Sequence, residues 1–413
     1  MALGLISLEL NAGSITNLSM DKLGNSGNGS SINAAISANG RFVVYHSRAG
    51  NPVANDTNNA SDIYYFDKKN KTTDRLTEGN NDSVDARISG NGRYVVYSSA
   101  ANNLVQDDTN ARNDIFLFDS KKSTHALVSV NRFGQPGNGG SFLPSISANG
   151  RFIIYESLAN NLFPKDRNQS RDIFLYDTST GLTRLVSVTQ SNIQGNGSSY
   201  KPSVSNNGRY AAFSSDASNF AANDTNNASD VFLYDVKTRI ITLVSVNAEG
   251  MPGNGRSFDA QISGNGRFVV YLSNAGNLVE GDTNDQYDIF LYDRKKNTTR
   301  RISINSLGEQ ANGSSLSPRI STKGRFIAYV SDADNLVDND NNQLPDIFRF
   351  DNKTGITSRI SLNAKGGEAT GAGSFSPDIN ANGRYVVFES YADDLVEGDT
   401  NGNSDIFLSD TKN

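Results

Sequence analysis

Asn-Gly-Arg turns, each followed by an aromatic residue, stand at Asn39, Asn91, Asn149, Asn207, Asn265 and Asn382, with Lys323 in place of Asn in the sixth of seven copies. They are 52, 58, 58, 58, 58 and 59 residues apart, and a second marker, Asp-x-Asn-x-x-x-Asp, recurs at the same intervals. The first interval is shorter because the connection from Arg75 to Ile88 is shorter. At 413 residues the chain is too long for one ordinary hydrophobic core. Self-similarity at a fixed period implies an array of small units, each burying its faces against its neighbours.

Each unit reads as four short strands. In the third copy, Leu143 to Ser147 and Arg151 to Ser157 flank Asn149-Gly150, a dipeptide favoured in two-residue hairpins because it accepts positive φ. Asp172 to Asp177 is the third strand and, after a Thr178-Ser179-Thr180-Gly181 turn, Arg184 to Val188 the fourth. The second and third strands are nearly continuous in apolar residues, as in Phe152-Ile153-Ile154-Tyr155 and Ile173-Phe174-Leu175-Tyr176. Continuous runs mean burial on both faces, as for a small sheet stacked between two others. Seven such units predict an all-β fold, a seven-bladed β-propeller of four-stranded antiparallel blades, with a linear β-solenoid as the alternative. The last repeat stops after its third strand, and Ile15 to Met20 reads like the fourth strands Thr299 to Asn305 and Thr357 to Asn363. This N-terminal strand is expected to complete the last blade and latch the ring. A single propeller then spans 14–413, with blades centred near 32–77, 84–130, 142–188, 200–246, 258–304, 316–362 and 375–410 plus 15–20, and 1–13 is an N-terminal extension with no assigned place.

Ser-x-Asn-Gly-Arg-aromatic, Tyr-x-Ser, Asp-Ile-Phe-Leu-Tyr-Asp and a closing Thr-Arg-hydrophobic-Ser together resemble the TolB-like propeller repeat of bacterial periplasmic and secreted proteins. The resemblance covers nearly the whole chain. It implies blades that serve as interaction modules, which in that family also accompany peptidase domains; no peptidase domain is present in this sequence. The long Asp-x-Asn loop departs from the short loops of the TolB-like type, so no partner is carried over.

Hydrophobic residues are 36% of the chain, and no apolar run approaches the roughly 20 residues of a membrane helix, so no membrane insertion is expected. A formal charge of -6 disfavours nucleic acid and anionic lipid and favours cations. Cysteine is absent, which removes disulfides and thiolate chemistry without fixing a compartment. Met1 to Leu10 has no basic region and carries Glu9, unlike a signal peptide. An extracellular or periplasmic monomer remains the expectation.

In a propeller the loops from second to third strand and from fourth strand to the next blade share one face, and here these are the long ones. Any site common to the blades is expected there. The Asp loops place Asp56, Asn58 and Asp62 in the first blade, Asp108, Asn110 and Asp114 in the second, and Asp166, Asn168 and Asp172 in the third. Asp224, Asn226 and Asp230, then Asp282, Asn284 and Asp288, then Asp340, Asn342 and Asp346, and finally Asp399, Asn401 and Asp405 complete the set. Calcium takes six to eight hard oxygens at about 2.3 to 2.6 Å, and carboxylate and amide oxygens at positions 1, 3 and 7 with a main-chain carbonyl between them supply much of that shell. Up to one calcium per blade is the functional expectation. The same residue types also build Asx-turns without a metal. Clustered carboxylates repel unless compensated, which favours the metal.

A second candidate is the ring where each Gly-rich linker enters a first strand: Ile32, Val84, Phe142, Tyr200, Phe258, Leu316 and Phe375. Phe142, Tyr200, Phe258 and Phe375 are its candidate partner-binding residues, against the simpler role of anchoring the core. Channel-facing positions of the first strands differ between blades, as with Arg87, Ser145, Ser203, Gln261, Arg319 and Asp378, so no sevenfold ligand is implied there. The chain has two histidines. His46 takes a position that Ser98, Glu156, Ser214, Leu272, Val330 and Glu389 occupy elsewhere, which reads as an ordinary outer position; His125 sits at the edge of a fourth strand. A triad would need one of them beside a nucleophile. The absence of Trp removes the usual sugar-stacking platform. The Asn-Gly-Arg triplets are explained as hairpin turns. The function expected is a non-enzymatic scaffold with calcium-stabilised loops and an unidentified protein or glycan partner on the long-loop face. A glycan- or polysaccharide-acting enzyme using loop carboxylates and a metal-free structural propeller are the alternatives.

Overall fold

The computed structural model describes residues 14–53, 56–164 and 166–412, so the extension over 1–13 lies outside the described residues. Among the described residues, twenty-eight strands form seven four-stranded antiparallel sheets. The fold is the expected seven-bladed propeller. In the third blade the strands are Ser141–Ile146, Phe152–Ser157, Asp172–Asp177 and Leu182–Leu185. The fourth strand ends before the expected Val188, because the Ser187 hydroxyl leaves the ladder to accept the Ile173 amide at 3.1 Å and to donate to Asp172.

Burial follows from the apolar runs. Ile153, Ile173 and Phe174 are fully buried, and the seam between third and fourth blades packs Ile154 and Leu175 against Ala211 and Phe213. Within each blade the aromatic near the end of the second strand stacks on that of the third, as Tyr155 does on Phe174 with centroids 5.9 Å apart. The last seam decides between ring and solenoid: Leu18, Val387 and Leu408 pack with Ala34, Val43 and Tyr45 of the first blade. Ser14–Asn17 pairs antiparallel with Asp405–Asp410, so the N-terminal strand supplies the seventh blade's fourth strand.

The Asn-Gly-Arg-aromatic signature does more than turn the chain. Gly150 has φ +74, and a Cβ there would sit 2.2 Å from the Tyr94 ring of the preceding blade, so it serves both the turn and the blade seam. Arg151 donates from Nε and Nη2 to both oxygens of Asp177, at 2.9 and 2.8 Å, while its guanidinium lies 4.8 Å above the Phe152 ring. The same Arg-to-Asp pairing recurs in all seven blades, from Arg41–Asp67 to Arg384–Asp410. These pairs join the hairpin to the end of the third strand.

The first strands line the central channel. Each is bulged, as where pairing passes from Phe142↔Glu156 to Ser145↔Ile154. The residue at each bulge is left-handed without being glycine: Asn33, Asp85, Leu143, Lys201, Asp259, Ser317 and Ser376 have φ between 47 and 56. These seven residues meet at one end of the channel, where the first strands begin on the long-loop face.

Candidate functional site

The seven Asp loops share one geometry. The residue after the Asn is left-handed in every copy, from Asn59 at φ 54 to Gly402 at φ 65. The Asn side-chain oxygen accepts the amide two residues on, at 2.8 to 3.1 Å in all seven copies. Its Nδ2 donates to a carbonyl of the following Gly-rich linker, from Gly79 in the first blade to Gly27 in the last. Asn58, Asn110, Asn168, Asn226, Asn284, Asn342 and Asn401 therefore close Asx-turns and tie the loop to the linker. The last Asp of each motif opens the third strand and is buried. One of its oxygens takes a hydroxyl from Thr77, Ser129, Ser187, Ser245, Ser303, Ser361 or Ser19. That hydroxyl partner, threonine in the first blade and serine in the other six, is the residue sequence reasoning missed; the serine of the closing Thr-Arg-hydrophobic-Ser had already marked it.

The blades differ at the first Asp. The fourth strand ends at a fixed register, opposite the third-strand aromatic, with Arg75, Arg301 and Arg359 in blades one, five and six and Leu127, Leu185 and Leu243 in blades two to four. Asn17 holds the place in the seventh. Each arginine reaches between the two carboxylates. Arg75 Nη1 is 2.9 Å from Asp56 and 3.7 Å from Asp62, Arg301 Nη1 is 3.1 Å from Asp282, and Arg359 Nη1 is 3.3 and 3.4 Å from Asp340 and Asp346. Asp340, Asp346 and Glu368 are close enough to share one metal ion, and Arg359 already touches all three. In the third blade Gln194 Nε2 spans Asp166 and Asp172 at 2.8 and 3.3 Å, and in the seventh Ser26 donates to Asp399 at 3.3 Å.

Blades two and four have the barest pairs. Pro136 and Pro252 stand where Gln194 stands in the third blade, and Asp108 Oδ1 is buried with no hydrogen-bond partner. Burial pushes Asp114 and Asp230 up to about 6, with Asp108 and Asp224 adding repulsion against the hydrogen bonds that oppose the rise. Asp172 is likewise raised to about 6 by burial.

The ring residues are half-buried. Phe258 and Phe375 pack against the seams between blades, and the Tyr200 hydroxyl bonds Ser229 and Asp216. Phe142 lies 5.8 Å from the Arg171 guanidinium. His46 is not in an outer position. It is 7% exposed and lines the channel mouth, because its place on the second strand faces the bulge of the next blade, where Glu389 and Glu156 accept the amides of Asn33 and Lys201. His125 lies on a fourth strand and pairs its Nδ1 with the Tyr97 hydroxyl at 2.7 Å.

No protein-family model and no curated protein matches the chain. Solved structures do. An oligogalacturonate lyase in complex with manganese is 12% identical, covering 96% of this chain and 92% of its own, with a TM-score of 0.59. An oligogalacturonate lyase from Vibrio parahaemolyticus gives 12% identity, 96% and 93% coverage, and a TM-score of 0.58. TolB from Acinetobacter baumannii is 14% identical over 85% of this chain and 76% of its own, with a TM-score of 0.44. At these identities the likeness is one of fold.

Proposed function

We propose that this chain is a non-enzymatic propeller scaffold of TolB-like type that offers its long-loop face to a protein or glycan partner. In this reading calcium clamps the blades that lack a cation of their own. The observation that carries it is the contrast between Asp282 Oδ1, 3.1 Å from Arg301, and Asp108 Oδ1, buried without a partner in a blade whose fourth strand ends in Leu127. Two buried carboxylates are stable together only with compensating charge or a shared proton. In blades one, five and six the guanidinium is that charge. Blades two and four would take calcium first, with Gln194 and Ser26 weakening the need in blades three and seven.

Two carboxylates completed by carbonyls and water make a weak calcium site, suited to the millimolar calcium outside the cytoplasm. An extracellular or periplasmic location belongs to the same proposal. The non-enzymatic part rests on how the acids are used: they hold strands and turns, repeated around the ring. The test is a calcium titration of chelator-stripped protein, followed by melting temperature and elemental analysis. Expected are a rise in melting temperature and fewer than seven ions per chain. Absence of both bound metal and thermal shift would overturn the calcium clamp.

A further inference from the structure

The channel mouth carries chemistry that the loops do not explain. It is a cavity of about 430 Å³ on the long-loop face, within the size range of small-molecule sites. Arg87 and Arg319 both line it, two residues beyond the bulges Asp85 and Ser317. The Arg87 contacts are Nη1 to the Ala86 carbonyl at 2.8 Å and to Asn33 Oδ1 at 3.4 Å, and the Arg319 contact is Nη1 to the Pro318 carbonyl at 2.9 Å. Among the described residues neither has a carboxylate within 4.0 Å. Asp378, the acid at their level, spends an oxygen on the Ile36 amide at 2.9 Å. Two guanidinium groups are thus held in one confined space with most of their donors free, an arrangement matched to a carboxylate or phosphate group.

The remaining charges choose between these. Lining cations are Arg87, Lys201 and Arg319, and lining acids are Asp85, Asp259, Asp378 and Glu389. A dianionic phosphate would meet more negative than positive charge. Three of the four acids gather at the outer level: Asp85 takes an amide proton from Asn33 at 2.8 Å and, among the described residues, has no cation within 4.0 Å, whereas Asp259 has Lys201 at 3.6 Å. Asn33 joins both levels, donating to Asp85 and accepting from Arg87. A net positive inner level, Arg87 and Arg319 against Asp378, and a negative rim suit a ligand that carries both charges. No phenyl, phenol or indole ring lines the cavity, which leaves a sugar ring without a stacking surface.

We propose that the channel mouth binds a small zwitterion of the amino-acid or dipeptide class, its carboxylate on Arg87 and Arg319 and its ammonium on Asp85. Asp85 and Arg87 lie two residues apart on one strand, about 6 to 7 Å if fully extended and less across the bulge, which a dipeptide or a single amino acid spans.

The test is isothermal titration calorimetry of the intact chain with the free L-amino acids, glycylglycine, N-acetyl-glycylglycine, glycylglycine amide, galacturonate and inorganic phosphate. Saturable binding of an amino acid or of glycylglycine is expected, weakened about tenfold or more by Arg87→Gln and by Arg319→Gln, as for loss of one charge-assisted contact. Blocking either end of the dipeptide should weaken binding on the unmodified protein, and Asp85→Asn should weaken glycylglycine but not its N-acetyl form. The analogue series needs no variant, so misfolding of one leaves the test intact. No saturation by any amino acid or dipeptide at millimolar concentration, or tighter binding of phosphate or galacturonate, would overturn the assignment.

Discussion

Arg301 Nη1 lies 3.1 Å from Asp282 Oδ1, and the residue at the same register in the neighbouring blade is Leu243, opposite Phe232 as Arg301 is opposite Phe290. One position thus decides whether a blade carries its own positive charge between two buried carboxylates. Arg301→Leu would leave Asp282 and Asp288 uncompensated, at a cost of about 3 to 5 kcal/mol for a buried pair broken on one side. Thermal melts should show this loss in chelator and its partial recovery in calcium. Leu243→Arg should do the reverse, stabilising the chelated protein and reducing its calcium response. Identical calcium responses in both variants and the parent would show that the position does not govern the site.

The hairpin clamp predicts an acid-sensitive contribution. Arg151, followed by the Ser179 hydrogen bonds, holds Asp177 down at about 2 against an ordinary 3.8. Because the folded value is the lower one, the contribution is complete above the ordinary value and is lost as pH falls through about 2. Arg151 is half exposed, so solvent screening keeps the pair's contribution small. Asp177→Asn should show a small loss of stability in urea melts at neutral pH and none at pH values well below the folded pKa. A loss independent of pH would assign the effect to packing rather than charge.

The propeller was legible because its evidence is local and repeated seven times: apolar runs, turn dipeptides and a spare N-terminal strand. Asp282, Asn284 and Asp288 were legible only as a cluster. Their partners come from elsewhere in the chain: Arg301 from the end of the fourth strand, Ser303 from just beyond it, and Ala311 from the linker. The alternation of Arg301 with Leu243 was visible in the aligned repeats, but its meaning depends on the register that puts the side chain between two acids. The misplacement of His46 has a similar cause. Its alternation on the strand was clear, yet which blade face meets the next bulge is a property of packing.

His46 should impose a pH dependence of its own. Burial, together with Arg87 and Arg48 and against the opposing pull of Asp85 and Asp82, brings the imidazole down to about 4. The folded value lies below the unfolded 6.5, so the unfolded chain takes the proton first and stability falls as pH drops from 6.5 toward 4. The linked free energy is at most about 3 kcal/mol. The stability difference between the parent and His46→Gln, from urea melts at pH 7 and pH 4, should shift by up to that amount in favour of the variant at low pH. A constant difference would mean that the imidazole is solvated or held by a partner in its charged form.

Ser19 tests whether the ring depends on its latch. The Leu18 amide donates to the Ile406 carbonyl at 2.7 Å, and the Ser19 hydroxyl accepts the Ile406 amide at 3.0 Å while donating to Asp405. Ser245 makes the same two contacts with Val231 and Asp230, but inside a blade whose four strands are consecutive in the chain. Ser19→Ala and Ser245→Ala delete the same chemistry and should each cost about 1 to 3 kcal/mol, because a buried carboxylate and amide lose a partner. The topology separates them. Loss at Ser19 loosens the strand that joins the two ends of the chain, so Ser19→Ala should unfold faster than Ser245→Ala at equal equilibrium cost. Deleting residues 1–20 should go further, uncovering the edge of Asp405–Asp410 and driving self-association. Stopped-flow unfolding and light scattering measure the two effects. Equal unfolding rates together with a monodisperse truncated chain would show that the ring stays closed through side-chain packing of the last blade on the first, without the strand.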